Sequence, residues 1–220
     1  MRQTVDTEVQ AGVDDEKGRG RSKSEEKRRQ IIAAAGDLFI EQGYENASMV
    51  GIAKSAGVSK QTLYSHFGSK ELLFSAAIES KCEEFQLSKD LNTERRDRTC
   101  RESLEEFALH FSQLLVSNEA IMVFKVCIAE SGRSNVGQLF WQAGPERIRE
   151  QLYNYLKQQH DSGELCIPDI SLACSQLIAM LHGEAHSCAL LGQTTSATGK
   201  DLRRYSRACV DMFLKAYKAD

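Results

Sequence analysis

One stretch, Ser48 to Leu73 (SMVGIAKSAGVSKQTLYSHFGSKELL), constrains this chain more than any other. Its spacing predicts a helix-turn-helix followed at once by a third, anchoring helix. Ile52 and Ala56 lie four apart and share one face of a short first helix. Ala53 is small enough to let a second helix cross closely. Gly57 falls where the chain must turn, and Val58 is placed to plug the angle between the two helices. Ser59 is a good N-cap for the second helix, and Leu63 and Phe67 return to a small core. Lys60, Gln61, Thr62, Tyr64 and His66 then cover the outer face of a helix short enough to enter a major groove. The pattern points to a DNA reader.

The residues from Arg28 to Ala77 resemble the DNA-binding domain of the tetracycline-repressor (TetR) family. The resemblance rests on Ile31-Ile32-Ala33-Ala34-Ala35, Leu38-Phe39, Gly43-Tyr44, Ile52-Ala53, Ala56-Gly57-Val58-Ser59, Thr62-Leu63-Tyr64, His66-Phe67 and Ser69-Lys70-Glu71-Leu72-Leu73. Met49 stands where Thr is usual, and Ser48 beside it is placed to supply the missing capping hydroxyl. Ile128-Ala129-Glu130, Leu139-Phe140, Gly144-Pro145-Glu146-Arg147, Leu156 and Gly163-Glu164-Leu165 resemble the AefR-like effector domain within that family. The resemblance implies an all-α homodimer with a recognition helix at about Lys60 to His66. It also implies repression of transcription until a small molecule releases the protein from DNA. Members of the AefR-like subgroup tend to regulate efflux or stress genes.

Composition agrees with an all-α chain. Of 220 residues 41% are hydrophobic, and only Pro145 and Pro168 interrupt the helical periodicity. No run of about 18 apolar residues is present, so no membrane span is expected. The N-terminus has no apolar signal core, so a cytoplasmic protein is expected. The net charge of −3 hides a division. Residues 17–81 hold 11 basic against 7 acidic side chains, whereas residues 82–220 hold 16 against 19. A basic front and an acidic rear suit attraction to phosphate at one end.

Three segments are expected. Residues 1–23 read as a disordered basic leader, whose Lys17, Arg19, Arg21 and Lys23 form either a solvated tail or an arm toward DNA. Residues 24–80 form the DNA-binding domain, starting with a helix from Ser24 to Gln42. Residues 81–220 form a larger helical domain for effector binding and dimerisation. In it, Ala120 to Ala129 is apolar nearly all round and is expected at the centre. The last two long helices, Pro168 to Leu191 and Asp201 to Tyr217, are the expected dimer surface. Ala173, Ala179, Gly183, Ala185 and Ala189 are small enough there for close approach.

For DNA contact we assign Ser48, Ser59, Lys60, Gln61, Thr62, Tyr64, His66 and Lys70, with a palindromic double-stranded operator as partner. Lys60 and Gln61 suit base edges or phosphates. Ser48, Tyr64, His66 and Lys70 suit phosphates, with packing on Phe67 as the alternative for His66. Phe107, Phe111, Phe124, Trp141, Tyr153 and Met180 are candidates to line a pocket for a hydrophobic or aromatic effector. Glu130 and Arg133 are placed either to orient a polar group of that ligand or to form an ion pair. His182 and His186, four apart, allow a metal-responsive alternative, and seven scattered cysteines allow a thiol-responsive one. No third metal ligand is evident, so neither a metal nor a cofactor is assigned. G-x-S-x-G, H-E-x-x-H and a phosphate-binding glycine loop are all absent, so an enzyme is not expected.

Overall fold

The computed structural model describes residues 13–91, 98–193 and 199–218, with side chains from Lys23 onward. Among these residues there are eleven helices: α1 (Val13–Gln42), α2 (Met49–Ser55), α3 (Lys60–Phe67), α4 (Lys70–Glu84), α5 (Leu87–Asp90), α6 (Cys100–Val116), α7 (Asn118–Glu130), α8 (Val136–Ala143), α9 (Pro145–Asp161), α10 (Ile170–Leu190) and α11 (Gly199–Tyr217). No strand occurs among them beyond an isolated bridge between Leu165 and Lys218. The fold is all-α, as the periodicity predicts.

The N-terminal caps follow the sequence closely. The amide of Gly51 donates to Ser48 Oγ, that of Thr62 to Ser59 Oγ, and that of Leu72 to Ser69 Oγ. Each hydroxyl satisfies a donor that the first helical turn would leave orphaned. Ser48 therefore supplies the cap that Met49 cannot. Thr99 and Glu102 form a reciprocal capping box at the start of α6.

Two helix boundaries stand out. Helix α1 begins at Val13, not Ser24, so the leader expected to be disordered is helical from residue 13. The charged run from Asp14 has no proline, and its Gly18 and Gly20 weaken but do not break a helix extending backwards from the apolar turn at Ile31. Residues 1–12 and the side chains of Lys17, Arg19 and Arg21 lie outside the described residues, so the leader's DNA role is not addressed there. Helix α4 stops at Glu84, because Gln86 takes a left-handed conformation (φ 58°) and α5 starts in a new direction.

The packing has two centres. One gathers α1 to α4 around Ile31, Phe39, Ile52, Leu63, Leu73 and Phe74. The other surrounds α6, where Leu104, Phe107 and Ala108 are fully buried against α9, α10 and α11. Burying each such large side chain contributes roughly 1.5–3 kcal/mol. The first centre does not end near residue 80. It continues into the rear half through Cys127 of α7 and Val136 and Ala143 of α8.

Helix α7 is not the central rod that its composition suggests. Only Ile121 and Cys127 are buried, while Val123 and Phe124 are half-buried and Ile128 is 64% exposed. Two faces of this helix meet α1 and a cavity rather than a closed core. Helix α10 bends at Gly183 (φ 54°, ψ −176°). The Tyr205 ring lies 3.0 Å from where a Cβ on Gly183 would sit, and its hydroxyl donates to the Met180 carbonyl at 2.7 Å. Gly183 therefore serves a contact within the subunit. Ala173 is likewise fully buried in its own subunit and cannot line a dimer surface.

Candidate nucleic-acid interface and effector cavity

The recognition unit is α2 and α3 joined by Ala56 to Ser59. Gly57 takes φ +65°, the turn conformation that favours glycine. Ile52, Leu63 and Phe67 fix the pair from inside. On the outside, Ser48, Ser59, Lys60, Gln61 and Tyr64 are exposed, and Thr62 and His66 are half-buried. The outer row of α3 is thus free to meet a groove. Its side chains are also partly ordered before any contact. Ser59 Oγ and Thr62 Oγ1 lie 2.8 Å apart, and the Lys60 ammonium sits 5.7 Å from the Tyr64 ring centroid. His66 packs beside Phe67 with ring centroids 6.1 Å apart.

Lys70 departs from its expected use. Its ammonium donates to three backbone carbonyls, those of Tyr44 (2.8 Å), Glu45 (3.1 Å) and Ala47 (3.2 Å). It also lies 4.5 Å from the Tyr44 ring centroid. A cation with all three donors satisfied holds the turn between α1 and α2 and is not free to grip phosphate. Tyr44, unassigned by sequence, is buried in an aromatic group with Phe39 and Phe74, at 5.6 and 5.1 Å between centroids. Burial pushes its phenol up to about 12, so it stays neutral.

Behind this unit lies a cavity of about 820 Å³. Its walls come from both halves of the chain. Helices α1 and α4 contribute Ile32, Gly36, Ile40, Ala77 and Ile78, and helices α6 to α10 close the other side. Of the aromatic and methionine candidates, Phe111, Phe124 and Trp141 line it. Phe107 does not, being fully buried in the rear core and stacked on Phe111 at 5.7 Å. Tyr153 points outward, and the half-buried Met180 packs on the rear core. Their helical phase turns them away from the cavity, which spacing within one helix cannot reveal.

The cavity is apolar with a few polar groups at its margin. Lys81 pairs with Glu84 at 2.8 Å and reaches Glu119 at 3.9 Å. Arg149 donates to Ser171 Oγ at 2.9 Å. His182 Nδ1 donates to the Ile178 carbonyl at 2.9 Å, which leaves Nε2 of the neutral ring as an acceptor. The wall contributed by α1 and α4 was not legible, because those residues read as the core of the DNA-binding unit.

The rival sensors gain little. His182 and His186 lie 5.1 Å apart as ring centroids, but His186 Nδ1 already donates to the Leu115 carbonyl at 2.8 Å. Burial holds His186 below the usual imidazole range, with the Leu115 bond opposing and His182 adding to the shift. Burial also pushes the thiol of Cys82 up to about 11 and that of Cys127 up to about 12, against reactive thiolates there. Asp90, Glu106 and His110 cluster near the start of the rear half. There His110 contacts Asp90 at 2.7 Å and Arg98 pairs with Glu106 at 3.0 Å, so the group reads as an ion-pair network. Glu130 and Arg133 do not face a ligand together. Glu130 accepts from the Glu45 amide, and Arg133 turns back to the Ala129 carbonyl.

A helix-turn-helix reader joined through a cavity to a helical rear half defines a class of DNA-binding regulators, and similarity to known proteins agrees. Residues 31–77 match the family of bacterial regulatory proteins of the tetR type, and residues 102–219 match the C-terminal domain of AefR-like transcriptional repressors. The chain belongs to the TetR family of transcriptional regulators. It is similar to the HTH-type transcriptional activator FasR of Mycolicibacterium smegmatis, 35% identical over 95 residues, or 40% of this chain and 43% of FasR. This match thus spans less than half of FasR. A TetR-family regulator from Mesorhizobium loti superposes with a TM-score of 0.73 at 28% identity, over 89% of this chain and 98% of that one. The flavonoid-responsive regulator FrrA superposes with a TM-score of 0.68 at 32% identity, over 88% and 97%. No single helix among the described residues is long and apolar enough to cross a membrane.

Proposed function

We propose that this protein is a homodimeric repressor released from a palindromic operator by a small hydrophobic or aromatic ligand. The observation that carries this reading is the shared cavity, whose walls belong to the reader (α1, α4) and to the rear half (α6 to α10) at once. A ligand there touches both, so its binding free energy depends on how the two halves sit. That differential is what shifts a population between DNA-competent and DNA-incompetent forms. The acceptor at His182 Nε2 and the aromatic walls at Phe111, Phe124 and Trp141 favour an aromatic ligand bearing a hydroxyl donor. The resemblance to a regulator described as flavonoid-responsive points the same way.

Base-edge contact falls to Lys60, Gln61 and Thr62, and phosphate contact to Ser48, Ser59, Tyr64 and His66. One short helix reads few base pairs. Two, about 34 Å apart on successive major grooves, are needed for useful affinity. The outer faces of α10 and α11 expose Leu172, Tyr205 and Met212, which suit a mate's equivalent helices. The protein acts by binding rather than catalysis, and works in the cytoplasm where its DNA lies. A titration of polyhydroxylated aromatic compounds against a preformed operator complex tests the reading. Release by a compound that also quenches Trp141 fluorescence supports it, and release by none of them contradicts the ligand class.

A further inference from the structure

Glu130 ends α7 in the rear half and reaches back 85 residues to the reader, where its Oε2 accepts the Glu45 amide at 3.1 Å. The approach is closer still at Gly43. A Cβ there would sit 2.3 Å from Glu130 Oε1, and Gly43 takes φ +81°. The left-handed backbone favours glycine, and the end of the Glu130 side chain comes up close against the face that glycine leaves open. On its other side the same turn is held by Lys70, through the carbonyls of Tyr44, Glu45 and Ala47. Residues 43–47 are therefore gripped through an amide by α7 and through carbonyls by α4. They lead directly into Ser48, the cap of α2. The other end of the connection is the cavity, since Ala120, Val123 and Phe124 of α7 stand in its wall.

We infer that Glu130 is a positioning residue for DNA reading, fixing the α1–α2 turn from the rear half and joining the cavity helix to the recognition unit. The acceptor oxygen, not the negative charge, is the part that matters. An occupant that displaces α7 draws this oxygen off the turn and loosens the placement of α2 and α3. The inference rests on the DNA-regulator reading above, but the existence of the contact does not.

The test uses the full chain, as wild type, Glu130→Ala and Glu130→Gln. Amide exchange at Glu45 is followed by NMR. Affinity is measured by gel shift on a duplex that the wild type selects from a random pool, and on an unrelated duplex. Loss of this hydrogen bond should raise Glu45 exchange about fivefold in Glu130→Ala. Affinity for the selected duplex should fall by about the same factor, with affinity for unrelated DNA unchanged. Glu130→Gln, which keeps a carbonyl acceptor, should restore both. Unchanged exchange at Glu45 in Glu130→Ala overturns the inference. So does raised exchange with undiminished selected-DNA affinity, or a Gln variant as impaired as Ala. A wild type that selects no duplex overturns the regulator reading and the positioning role with it, while the exchange comparison still decides whether the contact holds the turn.

Discussion

The recognition unit and the effector cavity are built from equally ordinary helices, yet they encode their surfaces differently. In α2 and α3 a 20-residue run contains the caps, the turn glycine, the buried face and the exposed face, so one stretch of sequence specifies the whole surface. The cavity takes walls from seven helices spread between Ile32 and His182. Which face of each helix meets it depends on crossing angles and on the phase of its neighbours. A site confined to one local motif is therefore written in the chain, whereas a site assembled across the fold exists only after packing. The contrast also separates what each region can tolerate. Substitutions on the outer face of α3 should change recognition without changing stability, while those behind it should change stability, ligand response or both.

The largest expected effect lies in the rear core. Phe107→Ala should cost roughly 3–5 kcal/mol, read as a lower urea midpoint with an unchanged m-value. Phe124→Ala, at the half-buried cavity wall, should cost clearly less while altering ligand response. Equal losses would mean that the cavity is ordinary core and would erase the contrast.

Next comes the turn between the two regions. Gly43→Ala should destabilise by roughly 1–3 kcal/mol, through the left-handed backbone and the approach of Glu130. Glu130→Ala removes the approach but not the backbone strain, and it also loses the bond to the Glu45 amide, so the double variant should lose less than the sum of the two single losses. Strict additivity in thermal melts would show that the carboxylate does not press on Gly43.

An effect of similar size divides the two lysines of the recognition unit. Lys70→Met strips three carbonyls of their donor and should lower stability by about 1–3 kcal/mol. Lys60→Ala, exposed on α3, should leave the melt within about 0.5 kcal/mol and weaken specific binding by gel shift. Reversed outcomes would exchange the structural and recognition roles given to these residues.

The smallest effect is acid sensitivity at His186. Its folded pKa is depressed by burial, so the unfolded chain takes up a proton first as pH falls. The stability it contributes is full above the unfolded value of about 6.5 and is lost as pH falls through the lower folded value. His186→Gln should flatten that part of the stability–pH curve, and denaturant midpoints between pH 7.5 and 5 would check it.

Much of the fold was legible because helix starts carry chemical signatures. Ser48 and Ser59 cap and Gly57 turns where the sequence suggests, and Ser69 and Thr99 cap α4 and α6 by the same chemistry. What escaped was non-local. Lys70 looks like a phosphate ligand until Tyr44, Glu45 and Ala47 are seen to present their carbonyls to it. Glu130 looks like a ligand contact until the turn 85 residues earlier is beside it. Phe107 and Phe111 are four apart on one helix and stack on each other, yet only Phe111 reaches the cavity. Helix α7 reads as central because apolar residues surround it, while its actual place between α1 and a hollow was set by its neighbours.

The most direct measurement is a gel-shift titration of the purified protein on the DNA upstream of its own gene, at two salt concentrations and with unrelated competitor DNA. A DNA-reading regulator should give a discrete complex of two subunits per duplex that survives competitor and the higher salt. Binding that disappears under either condition would reflect phosphate attraction alone and would contradict specific reading of that DNA by α3.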